Sequence, residues 1–231
     1  MSKPVEITLS GVTILRQSDQ TVDELVTENK AKYSDELGSI ESSDLDRHVY
    51  EGGLKVWECA YDLAGHLDQI DIAGKSIIEL GCGAGLPAIT ALKKGALKAV
   101  LQDYNQSVID LVTKPNLTLN SIPESSASTI ATSWASIANG STDLPDKSFD
   151  LIFTSETIYD AADYPSLHDV MDRLLKLDGL ILLAAKMVYF GKTGDYFRFL
   201  DYLEAQGKFK VIKTVPIAAT VQRVIAHIVR V

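Results

Sequence analysis

A short apolar run that breaks abruptly into alternating glycines constrains this chain more than any other feature. Ser76-Ile77-Ile78-Glu79-Leu80 opens on the β-branched hydrophobicity of a strand buried in a parallel sheet. Gly81-Cys82-Gly83-Ala84-Gly85 follows, and Leu86 to Leu92 returns to helix-forming residues. Strand, glycine turn and helix form the unit that brings backbone close to a ligand at the carboxyl end of an open sheet. Gly81 and Gly83 permit backbone geometry that a β-carbon would block.

Spacing narrows the ligand. A dinucleotide fingerprint reads G-x-G-x-x-G, with a pyrophosphate on the helix N-terminus. Here the third glycine comes one residue early, and Leu86 stands where it would be. Glu79 lies two residues ahead of the first glycine. A carboxylate is repelled by a diphosphate and attracted by a sulfonium or ammonium. E-x-G-x-G-x-G therefore predicts an S-adenosylmethionine pocket rather than an NAD pocket, with Glu79, Gly81, Gly83 and Gly85 as its cofactor-binding residues. A plain glycine turn is the alternative.

The rest of the chain supplies a sheet for this turn. Ala99 to Asp103 reads as a second strand, and Asp103 falls 18 residues beyond Gly85, where a ribose-binding carboxylate belongs. Tyr104 is placed to flank an adenine, and Asn105 to cap a helix running to about Leu119 that kinks or restarts at Pro115. Thr129 to Trp134 reads as a third strand, with Trp134 either walling in adenine or packing in the core. Phe149 to Ser155 is a strongly buried fourth strand. A helix from Tyr164 to Lys176, a turn at Asp178-Gly179 and a fifth strand from Leu180 to Ala185 follow. After a helix over Asp195 to Gln206, Phe209–Val215 and Val221–Val231 suit a final antiparallel pair. This is an α/β pattern with a mostly parallel, Rossmann-like sheet.

Ahead of it, Trp57, Ala60, Tyr61, Ala64 and Leu67 recur at helical spacing after a Gly52-Gly53 turn signal. Residues 1–46 read as an N-terminal extension lying over a domain that spans 47–231. Within the extension, Val5 to Leu15 suits a short β-element and Thr21 to Glu24 the start of a helix.

Composition excludes several classes. The longest apolar runs fall far short of the ~20 residues that span a bilayer, and the first residues lack the apolar core of a signal peptide. Two cysteines, Cys59 and Cys82, are too few for a disulfide framework, and no Cys/His spacing suits zinc. A cytoplasmic or nuclear location and no metal are therefore expected. The net charge of −9 repels nucleic-acid phosphate and suits a basic protein partner, although acidity also serves plain solubility.

The chemistry gathers at strand ends. Strands one, two and four present Glu79, Asp103, and Ser155 with Glu156 at their carboxyl ends, which converge in a doubly wound sheet. Glu156 and Tyr159, three residues apart, are positioned to orient an acceptor nitrogen beside the cofactor, and these are the catalytic candidates. Against this stand a loop acid and a packing tyrosine. His48, His66, His168 and His227 read as surface or packing residues.

These stretches resemble a family. Gly52-Gly53-Leu54-Lys55-Val56-Trp57-Glu58-Cys59, Glu79-Leu80-Gly81-Cys82-Gly83-Ala84-Gly85-Leu86, Gln102-Asp103-Tyr104-Asn105 and Thr154-Ser155-Glu156-Thr157-Ile158-Tyr159 are together similar to the protein-histidine methyltransferases. Those enzymes belong to the seven-strand protein methyltransferases, which also include lysine enzymes. The resemblance, from His48 to Gly191, implies methyl transfer to an imidazole nitrogen of a histidine in a large-subunit ribosomal protein. It also places Trp57 and Glu58 near the methionine end of the cofactor. Ser133-Trp134 departs from the Glu-Trp dipeptide usual in the family, and the glycine-rich stretch after Tyr-Phe-Gly is reduced here to Gly191–Asp195. Two alternatives remain: a lysine methyltransferase acting on a translation factor or chaperone, and a ribosome-assembly factor that binds the cofactor without catalysis.

Overall fold

The structure is a computed structural model that describes residues 2–38 and 49–231. His48, at the start of the resemblance, lies outside the described residues.

Where a single β-element was expected, β1 (Val5–Leu9) and β2 (Val12–Arg16) form an antiparallel hairpin. Its two-residue turn, Ser10-Gly11, has φ of 49° and 73°, the backbone that matches strand twist in tight hairpins. Helix α1 (Asp19–Asn29) begins earlier than expected, because the Ser18 hydroxyl accepts from Thr21 N at 3.1 Å and caps it. A short α2 (Ser34–Leu37) precedes α3 (Glu58–His66), whose apolar face matches the expected periodicity.

The main domain then alternates: β3 (Ser76–Leu80), α4 (Leu86–Lys93), β4 (Lys98–Asp103), α5 (Gln106–Val108), a π-helical turn Ile109–Thr113, α6 (Lys114–Leu119), β5 (Ala127–Ala131) and α7 (Trp134–Ala138). β6 (Phe149–Ser155), α8 (Tyr164–Leu174), β7 (Leu175–Lys186), α9 (Tyr196–Gln206), β8 (Phe209–Ile217) and β9 (Arg223–Arg230) complete it. Among the described residues the strands form a seven-stranded sheet in the order β5-β4-β3-β6-β7-β9-β8. β9 pairs antiparallel with both β7 and β8, while the other pairings are parallel. The chain moves outward from β3 through β4 to β5, then returns to β6 on the other side of β3. That reversal opens a crevice at the strands' carboxyl ends.

Strand alternation feeds two cores. Ile77, Leu151, Phe153 and Leu182 pack on one face, and Ile78, Leu80, Ile152, Ile181 and Leu183 on the other. Every residue of β3 is buried, which explains why its sequence lacks polar alternation.

The helix after Asn105 restarts at Pro115 as expected: α6 opens at Lys114 with Pro115 in its first turn, and Lys114 N bonds to Ile109 O, so a π turn shifts the register just before the residue that lacks an N–H. Three other local expectations give way. Asn105 occupies the cap position without a side-chain cap; its amide group bonds Glu51 N and Val49 O instead. β5 ends at Ala131, and Trp134 begins α7 under a Ser133 cap rather than closing a strand. Asp178-Gly179 lies inside β7, where the register with β6 shifts between Phe149↔Leu175 and Leu151↔Leu180. A bulge absorbs the turn chemistry there without ending the strand.

The N-terminal segment packs tightly. Ile14, Val22, Tyr33 and Leu37 are buried in the same core cluster as Ile77 and Leu86. Asn120 on the far side accepts from Leu15 N at 2.9 Å and donates to Leu15 O at 2.6 Å, replacing a missing strand neighbour for β2. Asn120→Ala leaves both backbone groups unpaired, so it should lower stability by about 1–3 kcal/mol. Urea unfolding followed by circular dichroism measures this; a change within error would mean that water replaces the asparagine.

Candidate active site

The crevice is a cavity of about 380 Å³ lined by the glycine turn, the ends of β4 and β6, the Glu51–Trp57 segment and the loop after β7. Part of its wall is built around Asp103. Asp103 is buried, its Oδ2 accepts from Gly83 N at 2.9 Å, and its Oδ1 accepts from Asn105 N at 3.3 Å. Burial pushes its carboxyl up to about 6, against the pull of these backbone donors. Gly53 makes this approach possible, since a β-carbon there would sit 3.1 Å from Asp103 Oδ2 and 2.9 Å from Val108.

The glycine turn is held from several sides. Thr113 Oγ1, inside the π turn, donates to Gly83 O at 2.7 Å, and Asn116 donates to Ala84 O at 3.0 Å. Gln102 Oε1 accepts both Gly81 N at 3.1 Å and the Trp134 indole N–H at 2.9 Å. Trp134 thus lines the cavity with its edge anchored. Gly81 has φ of 65°, and a β-carbon on it would meet Thr157 at 2.8 Å, so the turn and the β6 loop are in direct contact.

The same cavity also holds the acceptor candidates. The Tyr159 hydroxyl donates a short hydrogen bond to Glu51, and burial together with that carboxylate raises the phenol well above its ordinary value. Tyr189 meets Tyr159 edge to face at 6.4 Å. Glu156 is nearly buried, adopts φ of 59° and is pinned by Glu156 N donating to Ala184 O at 3.0 Å. A non-glycine residue in that region is strained, and such strain persists only where the surroundings hold it. Lys186 Nζ lies 3.3 Å from Glu156 Oε1 and 3.2 Å from Glu58 Oε2.

Trp57, Gly81, Gly83, Gly85, Asp103, Tyr104, Trp134, Ser155, Glu156 and Tyr159 all line this cavity. Three expected residues do not. Asn105 braces the Glu51 segment from behind, and Glu58 meets the site through Lys186. Glu79 departs furthest from expectation: it is fully buried and its Oε2 accepts from Ala88 N at 2.8 Å in the first turn of α4. Pleating turns its carboxylate towards that helix rather than towards the cavity. Glu51, Gln102 and Lys186 also line the cavity, and sequence pattern does not single them out. Their positions beside Gly52-Gly53 and at strand ends were the available signals. His66, His168 and His227 are buried and none lines the cavity.

In architecture the molecule matches S-adenosylmethionine-dependent methyltransferases. One from Aquifex aeolicus, 18% identical, superposes with a TM-score of 0.57 over 73% of this chain and 90% of that one. Another from Streptococcus mutans, described as putative and 10% identical, gives 0.66 over all of this chain and 56% of that one. Residues 42–204 match a protein family described as lysine methyltransferase, and the chain belongs to that family. It is similar to the histidine protein methyltransferase 1 homolog of Bos taurus, 40% identical over 73% of this chain and 52% of that protein. The Dictyostelium discoideum protein of the same name is 36% identical over 76% of this chain and 56% of that one. The chain thus spans just over half the length of these relatives, in line with the resemblance read from the motifs.

The buried acids make a pH signature. Burial pushes Glu79 up to about 8, partly offset by the Ala88 N–H, with Asp103 adding repulsion. An acid whose pKa is higher folded than unfolded holds more protons in the native state between the two values. Stability is therefore full below the unfolded pKa of about 4.3 and lost as pH rises towards 8. The ligand-free protein should lose about 2 kcal/mol between pH 6 and 8, and Glu79→Gln should flatten that decline. Urea titrations at three pH values test it; parallel declines in both proteins would clear Glu79 of the effect.

Proposed function

We propose that this chain transfers a methyl group from S-adenosylmethionine to an imidazole nitrogen of a histidine in a protein. The supporting observation is one cavity lined both by a buried, backbone-held Asp103 and by Glu156 with the Glu51-linked Tyr159. The cofactor fits the donor set. Among the described residues Asp103 accepts only from backbone N–H groups, of Gly83, Tyr104 and Asn105, and keeps acceptor capacity for a pair of ribose hydroxyls. Tyr104 and Trp134 offer aromatic walls for adenine, and Gly81 and Gly83 expose backbone to the nucleoside. Ser155, Gly85 and Trp57 complete the wall, Trp57 towards the methionine end.

Bound there, the cofactor supplies an electrophilic methyl group on a sulfonium. The chain's own contribution is position, desolvation and a carboxylate that can accept the one proton the ring sheds once it is methylated. Glu156 accepts the N–H of one ring nitrogen, which fixes the tautomer and leaves the lone pair of the other nitrogen free. Tyr159, its hydroxyl tethered to Glu51, walls the acceptor beside it. Neutral imidazole is already nucleophilic near pH 7, so the site need not strip an ammonium first. The net charge of −9 suits a basic substrate such as a ribosomal protein of the large subunit, and nucleic-acid binding is not expected. A cytoplasmic or nuclear setting accords with this, and no helix among the described residues is long and apolar enough to cross a membrane. A lysine acceptor is the second reading, favoured by the family description.

Incubating the chain with labelled S-adenosylmethionine and a lysate lacking the enzyme, then hydrolysing the labelled band, should yield methylhistidine. Methyllysine alone would replace the first reading with the second. Asp103→Ala should weaken cofactor affinity at least tenfold by calorimetry, since it removes charge-assisted bonds worth roughly 1.5–3 kcal/mol each. An unchanged dissociation constant would return Asp103 to a structural role. Glu156→Gln and Tyr159→Phe should leave cofactor affinity within about twofold yet cut turnover by about tenfold or more. Loss of cofactor binding in either variant would move that residue to the cofactor's part of the site.

A further inference from the structure

Lys186, the last residue of β7, is one of three lysines among the described residues that line the cavity; Lys55 stands 4.9 Å from the centre of the Trp57 ring and Lys192 6.0 Å from that of Tyr159, and Lys186 is the one paired with Glu156. Its ammonium bridges Glu156 at 3.3 Å and Glu58 at 3.2 Å and lies 5.0 Å from the centre of the Trp57 ring. Burial pulls its pKa down, but the two carboxylates outweigh this and hold it above its ordinary value. Glu156 itself is exposed at only 7% of its side chain, and Lys186 at 16%. The cation is therefore seated in the wall, between the carboxylate that faces the acceptor and the aromatic ring beside it.

We propose that Lys186 selects the acceptor by charge, admitting a neutral nitrogen and disfavouring an ammonium; the proposal rests on the histidine reading above. An acceptor lysine arrives protonated at neutral pH. It would have to approach a carboxylate whose charge a cation already compensates, and would place a second ammonium within a few ångströms of the first in a low-dielectric pocket. It would also meet the Trp57 ring with Lys186 and Lys55 already near it, at 5.0 and 4.9 Å, which weakens cation–π attraction as a substitute. A neutral imidazole brings no charge. Its N–H can donate to Glu156 while Lys186 stays in place, because each carboxylate oxygen has two acceptor directions. Without Lys186, Glu156 would become an uncompensated carboxylate beside an aromatic ring, the arrangement that best captures an ammonium.

A purely structural clamp would have different consequences. Lys186 joins the end of β7 to the start of α3 and the loop after β6, so its loss as a clamp would weaken every ligand alike. The experiment compares imidazole with n-butylammonium as probes of the full chain saturated with S-adenosylhomocysteine, at pH 8, by ligand-observed NMR titration. Imidazole is then neutral and the amine charged. The wild-type chain should bind imidazole more tightly. Lys186→Met should shift the affinity ratio at least tenfold towards butylammonium, Lys186→Gln should shift it in the same direction, and Lys186→Arg should retain the wild-type ratio. In the lysate assay, Lys186→Met should raise methyllysine relative to methylhistidine.

An unchanged ratio in the folded Met or Gln variant overturns the assignment, as does a wild-type preference for butylammonium, a comparison that requires no variant to fold. Either result leaves methylhistidine as the wild-type product untouched. Methyllysine as the sole wild-type product instead overturns the histidine reading and, with it, this role for Lys186.

Discussion

The contact between the Asp103 carboxylate and the Gly83 backbone N–H is the constraint on which the rest of the site depends. It ties the end of β4 to the turn that follows β3, across 2.9 Å. To make it, a carboxylate must leave water, which is unfavourable unless donors replace the solvent. The donors are backbone groups, so the geometry of two strand ends and one turn has to be right at once. Gly53 must lack a side chain for the Glu51–Trp57 segment to lie against that carboxylate. Thr113 must sit in a widened π turn for its hydroxyl to reach Gly83 O. One buried carboxylate is therefore matched by local structure in three separate elements.

Buried charge of this kind works against stability in the ligand-free protein. Asp103 and Glu79 both sit above their ordinary carboxyl values because burial outweighs the backbone donors. Glu156 adds a strained backbone at φ of 59°. Asp103 and Glu156, which line the cavity where Glu79 does not, are also prepared for a ligand, since an acceptor group already desolvated and oriented needs little reorganisation when one arrives. The acceptor candidates differ in kind: there Glu156 and Glu51 meet a lysine ammonium and a phenol rather than backbone, so their charge pattern is set by side chains.

The N-terminal segment is coupled to this site through polar contacts as well as through the core. Asn116 accepts from Gln17 N at 2.8 Å and donates to Ala84 O in the glycine turn at 3.0 Å, so one side chain links the hairpin to the cavity floor. Glu36 accepts from Gln106 N at 3.1 Å and from Ser107 N at 2.8 Å, supplying the cap that Asn105 does not. Asn105 is thereby released to hold the segment carrying Glu51. Each element in this chain of contacts satisfies backbone groups that would otherwise be buried without partners.

The sequence by itself determined the parts governed by local pattern. Apolar runs located β3, β4 and β6, glycine spacing located the turn, and the positions of Asp103, Glu156 and Tyr159 just past strand ends placed them at one crevice, because a parallel sheet brings such ends together. Only the tertiary structure decided which way side chains face and which distant groups meet. Glu79 reads as a cofactor acid in the motif, yet the pleat aims it at α4. Glu51 and Tyr159 are separated by 108 residues and share a proton-donating contact that no periodicity encodes. The cap at Gln106 comes from Glu36, 70 residues away, rather than from the adjacent Asn105. Hydrophobic periodicity reports which face of an element is buried. It does not report which polar group from another part of the chain satisfies it, because that pairing depends on strand register and loop path, which exist only once the sheet has assembled.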